Sequence, residues 1–314
     1  MNVLVYLHSF PPVRYVGGEL MTLELLAYLV RQGHRVSVYV GEWDNRMPST
    51  YRGMTVQSAA YLSVHVARKH DVFITHPEVR IAVWQYVRAM PYVAVVHNVN
   101  APTLRSLERY APELTVVGSE YTKRHLPLVA TQKRVSVCPP PICVSQAPHT
   151  KIFNTTVNLS LEKGGRILQQ MAEHMPRHKF LGVKGGHGQQ ILDQPSNVTI
   201  QEQTQDMTAV YGKTRVLIFP TRDETYGIVV SEAMQQGIPV LASNLPAVRE
   251  AGGNAAIYLS PYDGPSWIEA LRELDDDTQY KHWADKSQKR GVMLRHQAAA
   301  NLASWESLLR DVVR

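Results

Sequence analysis

Twice along this chain, short apolar runs rich in β-branched residues alternate with stretches of helical length. No other feature limits the fold as far. In the first half the runs are NVLVYLH (2–8), RVSVYVG (35–41), DVFITH (71–76), YVAVVHN (92–98) and LTVVGS (114–119). Between the first two, ELMTLELLAYLVRQG (19–33) repeats apolar residues at helical spacing and stops at Gly33, which predicts an amphipathic helix. Crossing to a parallel neighbour takes a helix-length connection, so the pattern predicts a parallel sheet covered on both faces. VCPPPICVSQAPH (137–149) then interrupts it with four prolines. Proline fixes φ and lacks an N–H, so this stretch extends neither a helix nor a central strand and reads as a linker.

Beyond the linker the alternation resumes with KIFNTTVN (151–158), a helix near 164–175, KFLGVKG (179–185), NVTIQ (197–201), RVLIFP (215–220), IPVLAS (238–243) and AAIYLS (255–260). The expected architecture is α/β: two doubly wound Rossmann-like domains, residues 1–147 and 148–292, with HQAAANLASWESLLRDV (296–312) as a closing helix within 293–314. A length of 314 residues suits two domains of about 150 each. Open parallel sheets bind ligands at the carboxyl ends of their strands, so the loops after strands, and a cleft between two facing domains, are expected to hold the chemistry.

Composition narrows the partners. No run approaches about 18 apolar residues, and MNVLVYLHSF has no basic start, so it reads as a buried strand and not as a leader. Cys138 and Cys143 are the only cysteines and read as reduced thiols, which makes the cytoplasm the expected location. Residues 1–145 carry 15 Lys and Arg against 9 Asp and Glu, whereas residues 146–314 carry 18 of each. An anionic partner for the first half, nucleic acid or lipid phosphate, and a peripheral position at an anionic surface follow as options. No G-x-G-x-x-G follows either domain's first strand, which disfavours a nicotinamide dehydrogenase.

TRDETYGIVVSEAMQQGIPVLAS (221–243) is the most chemical stretch. The strand ending at Pro220 releases a loop, and residues 228–236 read as a helix broken by Gly237-Ile238-Pro239. Amides at Gly227, Ile228 and Val229 have no intrahelical acceptor and face an anion with the positive end of the helix dipole. Glu224 precedes this turn and Glu232 follows it. Carboxylates accept well from vicinal hydroxyls, so a ligand with a central diphosphate and hydroxyl-rich ends, such as a nucleoside diphosphate sugar, has the matching shape. Asp275-Asp276-Asp277 reads as a solvated acidic run and not as a metal site, and no metal is expected.

The segment ETYGIVVSE, followed by AMQQGIPVLAS, resembles the E-x7-E signature of the retaining, sugar-nucleotide-dependent glycosyltransferases of family 4, which have the GT-B fold. VGGELMTLELLAYLVRQGHRVSVYV is similar to that family's opening glycine loop and helix, VVHN and VVGSEYTKRHL to the last strands of its first domain. NLSLEKGG resembles its cationic stretch after the linker, and FLGVKGGHG the next strand and glycine turn. The resemblance implies a UDP- or GDP-sugar donor with no metal or other cofactor. Glu224 would hold donor sugar hydroxyls and Glu232 the ribose. Amides at Gly227, Ile228 and Val229, with Lys163, would hold the diphosphate. Tyr226 and Arg222 join this donor set. Gly17 and Gly18 would admit phosphate and acceptor, and His97 would lie against the reacting sugar. His97, Glu224 and Lys163 are thus the expected catalytic groups, and His8, Arg14 and Tyr15 the acceptor side. By analogy the last helix packs back on the first domain, with Trp305 as an anchor.

One position departs from the pattern. Where the family commonly has an arginine five residues before the lysine, this chain has Asn158. A neutral amide replaces a bidentate guanidinium, and Arg222 is either a compensating cation or a surface charge. Two alternatives stay open: transfer to a modified nucleic acid base or another polyanion, and a non-catalytic sugar-nucleotide binding protein or epimerase.

Overall fold

The computed structural model describes residues 1–78, 84, 88, 90–186 and 188–314. They form two compact units, residues 1–141 with 298–314, and residues 142–297.

The first unit is built on strands β1 (Asn2–Leu7), β2 (Arg35–Val40), β3 (Thr50–Tyr51), β4 (Met54–Ser58), β5 (Val72–Thr75), β6 (Tyr92–Val96), β7 (Leu114–Val117) and β8 (Arg134–Val137). Their order across the sheet is β3-β4-β2-β1-β5-β6-β7-β8. Only the short β3 runs antiparallel, to β4. Helices α1 (Gly17–Arg31), α2 (Val64–Ala67), α3 (Ala101–Arg109), α4 (Glu120–Arg124) and α5 (Leu128–Thr131) lie between strands along the chain. Residues of β1 alternate as a two-residue period demands. Val3, Val5 and Leu7 enter a core with Leu25, Leu26 and Leu29 of α1, while Leu4 and Tyr6 enter another with Phe73 and Leu107. Both faces are therefore apolar, which is why the run NVLVYL has no polar alternation.

In the second unit the strands are β9 (Phe153–Val157), β10 (Phe180–Val183), β11 (Val198–Gln201), β12 (Thr214–Phe219), β13 (Val240–Ser243) and β14 (Ile257–Leu259). They form a parallel sheet of order β11-β10-β9-β12-β13-β14. Helices α6 (Gly165–His174), α7 (Met207–Lys213), α8 (Ile228–Gln235), α9 (Pro246–Gly252) and α10 (Gly264–Glu273) follow in sequence, and α11 (Asp277–Val313) closes the chain. Val216 and Ile218 of β12 enter a core with Trp267 and Leu168, and Leu217 and Phe219 one with Val230 and Met234 of α8.

Strand order reverses direction beside β1 in the first unit and beside β9 in the second. The carboxyl ends of β1 and β5, and of β9 and β12, are therefore the switch points where such sheets open a crevice.

Several boundaries differ from the sequence reading. β3, β4 and β8 were not expected, β3 being a two-residue edge piece and β4 and β8 strands without a continuous apolar run. The first unit ends at Pro141 and not at 147. Side chains of Gln235 and Gln236 explain this, because they bind the linker backbone as a strand neighbour would. Gln235 Nε2 donates to Ile142 O at 2.8 Å, and Gln236 Nε2 to Ser145 O at 2.8 Å. Val144 N and Ala147 N donate back to the two amide oxygens, each at 3.2 Å. The closing helix starts at Asp277, far ahead of 296, with Asp276 Oδ1 accepting from Gln279 N at 2.9 Å as a cap. Its last turns, from Ala298, belong to the first unit, where Trp305 and Leu309 are buried in the core. Among the described residues, no helix is long and apolar enough to cross a membrane.

Candidate functional site

Two loops leave the switch point of the second unit, 158–164 after β9 and 220–227 after β12. They are joined directly. Arg222 N donates to Glu162 O at 2.8 Å, and Lys163 Nζ donates to Asp223 O at 2.7 Å and to Glu224 Oε2 at 3.2 Å. Gly164 makes the approach feasible. Its φ is +92°, and an added Cβ would lie 2.1 Å from Pro220 Cγ. The Lys163 and Glu224 side chains are each 20% exposed, enough to meet a ligand while restricted in rotamer. Glu224 Oε1 also accepts from Thr225 N at 3.0 Å, which fixes the carboxylate against its own loop.

Gly227 sets the entry to α8. At φ +101° it holds the left-handed conformation that glycine tolerates, and Val230 N and Ser231 N both turn back to its carbonyl at 3.1 and 3.2 Å. Amides of Gly227, Ile228 and Val229 thus precede the helical ladder, at the end of the loop that carries Glu224. Glu224 and the helix start were read from the sequence and Lys163 from the resemblance; the structure pairs Lys163 with Glu224 in the loop that leads to the start of α8.

Other residues assigned to the donor sit differently. Glu232 is 6% exposed, and its Oε2 accepts from the Tyr211 hydroxyl at 2.6 Å. Burial pushes its carboxyl up to about 7, against the opposing pull of that hydroxyl. It is therefore neither a solvated helix residue nor part of the Lys163 cluster. Tyr226 is buried in the core beside Phe219 and Val230, so its ring is not presented as a ligand contact. Asn158 stands at φ +68° and is buried, with its Oδ1 accepting from Ser160 N at 3.1 Å and Gln190 Nε2 at 3.0 Å. Its carbonyl is committed to shaping the loop, a role a guanidinium has no acceptor to fill. Arg222 extends over the ring of Tyr262, at 5.2 Å from its centroid. Gln190 was missed: its Oε1 accepts from Leu159 N at 2.8 Å and Gly185 N at 2.9 Å, tying the ends of β9 and β10. A glutamine in a polar stretch carries no signal of such a role. His187, in the predicted glycine turn, lies outside the described residues.

At its own switch point the first unit gathers a buried polar cluster. Gly17 and Gly18 form the first turn of α1 and not a loop before it. A Cβ on Gly18 would fall 2.5 Å from His97 Cγ, so the helix start packs directly on that imidazole. His97, just past β6, meets the ring of His76, just past β5, at 4.3 Å between centroids. Thr22 Oγ1 lies 2.8 Å from His76 Nε2 and donates to Gly18 O at 2.9 Å. With that hydroxyl hydrogen directed to Gly18, His76 Nε2 is the donor to Thr22. Ser9 Oγ donates to the buried Glu19 at 2.6 Å. Burial holds His76 well below the usual imidazole range, with His97 adding to it. Burial also lowers His97, opposed by Glu19 and Glu78. Burial raises the Glu78 carboxyl, but hydrogen bonds from Thr103, Asn100 and Asn98 outweigh it and leave it lowered. His76, Glu19 and Glu78 escaped the sequence reading, although FITH has the same strand-then-histidine form as VVHN.

The remaining residues assigned to the acceptor lie at the same end of β1. His8 Nε2 is 3.0 Å and Arg14 Nη1 3.5 Å from the Glu42 carboxylate, and all three are exposed. Tyr15 differs, pairing its hydroxyl with that of Tyr51 at 2.9 Å. Asp275 pairs with His178 at 3.2 Å and Arg215 at 3.7 Å, and Asp276 caps α11. Among the described residues, no group of three metal-ligating side chains is gathered.

Residues 159–277, which include α8, the loop before it and the loop after β9 from its second residue, match the sequence model of the family described as Glycosyl transferases group 1. The chain is 34% identical over 70 residues to the O-antigen chain mannosyltransferase RfbU of Salmonella typhimurium, covering 22% of this chain and 20% of that protein. It is 31% identical over 111 residues to the O-antigen chain mannosyltransferase B of Escherichia coli, covering 35% of this chain and 26% of that one. The matched stretches span about a quarter of these relatives' length or less. Among solved structures, sucrose-phosphate synthase from Thermosynechococcus elongatus superposes with a TM-score of 0.82 at 15% identity, covering 99% of this chain and 98% of that one. HepE of Anabaena, solved in complex with UDP-glucose, gives 0.80 at 15% identity, covering 99% and 100%. At such identities the likeness shows the fold: two Rossmann-like α/β units of the GT-B class.

Proposed function

We propose that this chain is a retaining glycosyltransferase of family 4 that moves a sugar from a UDP- or GDP-linked donor to an acceptor hydroxyl. The observation that carries the reading is the joining of Lys163 and Glu224 across two loops at the β9/β12 switch point, in the stretch that leads to the first amides of α8. Support comes from the group 1 match over those same loops and from the name and bound UDP-glucose of structural neighbours.

The chemistry follows from charge. The bond between the anomeric carbon and the diphosphate oxygen breaks, and the acceptor oxygen bonds that carbon on the same face. Its proton passes to the departing phosphate, so no protein base is needed. Negative charge developing on the diphosphate meets Lys163 and the amides of Gly227, Ile228 and Val229, which are fixed before the reaction starts. Glu224 holds the sugar hydroxyls, and this charge neutralisation needs no metal. From the first unit we assign His97, with Gly17 and Gly18, to the reacting sugar, and His8, Arg14 and Tyr15 to the acceptor. Asn158 and Tyr226 act on the donor only by shaping the loops.

A panel of UDP- and GDP-sugars, assayed for nucleotide release with and without candidate acceptors, tests the reading. Release from at least one donor is expected. Donor binding without turnover across all acceptor pools would favour a binding protein instead. The basic first half favours an anionic acceptor, whose transfer rate would fall steeply with added salt.

A further inference from the structure

Tyr211 belongs to α7, and its side chain is fully buried. Its helix is held firmly. Asp206 Oδ1 caps it by accepting from Ala209 N at 3.0 Å. Thr214 Oγ1, where the helix runs into β12, donates to Val210 O at 2.9 Å and meets Thr155 of β9 at 2.8 Å. The phenol therefore projects from a fixed platform, and its hydroxyl donates to Glu232 Oε2 at 2.6 Å.

Glu232 is unusual in its company. Among the described residues no salt bridge reaches it, and Tyr211 is the titratable group that faces it. A buried carboxylate has about four acceptor positions, and one phenol fills one of them. Glutamine would serve as an acceptor for Tyr211 at a lower desolvation cost. The carboxylate is thus held without a competing cation, with acceptor capacity to spare, one turn into the helix that opens at the candidate diphosphate site.

We propose that Tyr211 is a positioning residue: by holding Oε2 of Glu232 it directs the remaining oxygen, Oε1, to the vicinal hydroxyls of the donor's ribose. The proposal rests on the donor reading given above. Removing the phenol hydroxyl frees the carboxylate to rotate and takes away the group that favours its ionised form. Glu232 would then accept a proton at higher pH, and a protonated acid is a poorer acceptor for a diol.

Calorimetric titration of UDP and GDP, each beside its 2′,3′-dideoxy counterpart, between pH 6 and 8.5 tests this. In the wild type the ribose form is expected to bind about tenfold more tightly at pH 8, the scale of one hydrogen bond to a charged group. That preference should shrink as pH falls through about 7. Tyr211→Phe should reduce it to about twofold at pH 8 and move its midpoint upward, while affinity for the dideoxy form stays unchanged. Glu232→Gln should leave a small preference that is flat with pH. A Tyr211→Phe protein with the wild-type preference and midpoint would overturn the positioning role and leave the donor reading intact. Equal wild-type affinity for ribose and dideoxy forms at pH 8 would also overturn it, however the variant folds. Failure of the wild type to bind any of the four nucleotides would instead overturn the donor reading and the proposal with it.

Discussion

The two switch points solve the same placement problem with opposite materials. In the second unit, charged side chains stay partly exposed on loops whose shape comes from Gly164 and Gly227. In the first, His76, hydroxyls and a carboxylate are buried around α1 with the half-buried His97 against them, and their positions come from packing. Exposed charges tolerate motion and act on a ligand through Coulomb attraction. Buried neutral groups define a shape and a protonation state. On the proposed reading the second unit grips an anion, and the first presents a packed surface in which low-pKa imidazoles stand beside the carboxylates of Glu19 and Glu78.

The largest effect should come from the second unit. Lys163→Ala and Glu224→Gln are each expected to lower turnover by about 10²–10³-fold, the scale of losing one preorganised electrostatic contact, with thermal stability nearly unchanged. Wild-type turnover in either variant removes that residue from the site. Next comes the backbone that joins the loops. Gly164→Ala places a Cβ against Pro220 at a left-handed φ and should cost about 2–3 kcal/mol in chemical denaturation. A neutral result would mean the two loops separate readily.

The first unit should respond differently. Gly18→Ala forces the His97 ring aside, so turnover should fall about tenfold while nucleotide affinity, which the proposed function assigns to the second unit, stays constant. Equal losses in both would break the division of roles.

The smallest and sharpest contrast is in pH. His76 has a lowered value in the fold, so its contribution is present above the usual imidazole range near 6.5 and is lost as pH falls. Glu232 has a raised value, so its contribution is fullest below its unfolded value and is lost as pH rises toward about 7. Hydrogen exchange corrected for intrinsic rate, followed from pH 5 to 8, should show β5 gaining protection with pH and α8 losing it, each by about 1 kcal/mol. Parallel slopes would show that these buried groups do not govern the two units.

Legibility in the sequence followed the range of the interactions. Glu224 and Gly227 were readable because strand, glycine turn and helix are contiguous, and helix geometry alone exposes the first amides, whereas Lys163, sixty-one residues earlier, was readable only through a resemblance. His97 was readable only through a resemblance. His76, Glu19 and Thr22 were not, because their meeting depends on β5 and β6 lying next to each other and on α1 crossing behind them. Glu232 shows the same limit within the motif itself. Its place on α8 was evident, but its pairing depends on Tyr211, twenty-one residues earlier on another helix.

Local periodicity, proline placement and turn glycines by themselves determined two α/β sheets, the break between them, and a helix start flanked by carboxylates. These are short-range steric and hydrophobic rules, written in neighbouring residues. Tertiary structure alone decided where the linker docks, which histidines touch, and that one signature glutamate is half-buried and ion-paired while the other is buried beside a phenol. Those outcomes depend on which distant surfaces pack together, and packing distributes water, charge and protons in ways no local pattern records.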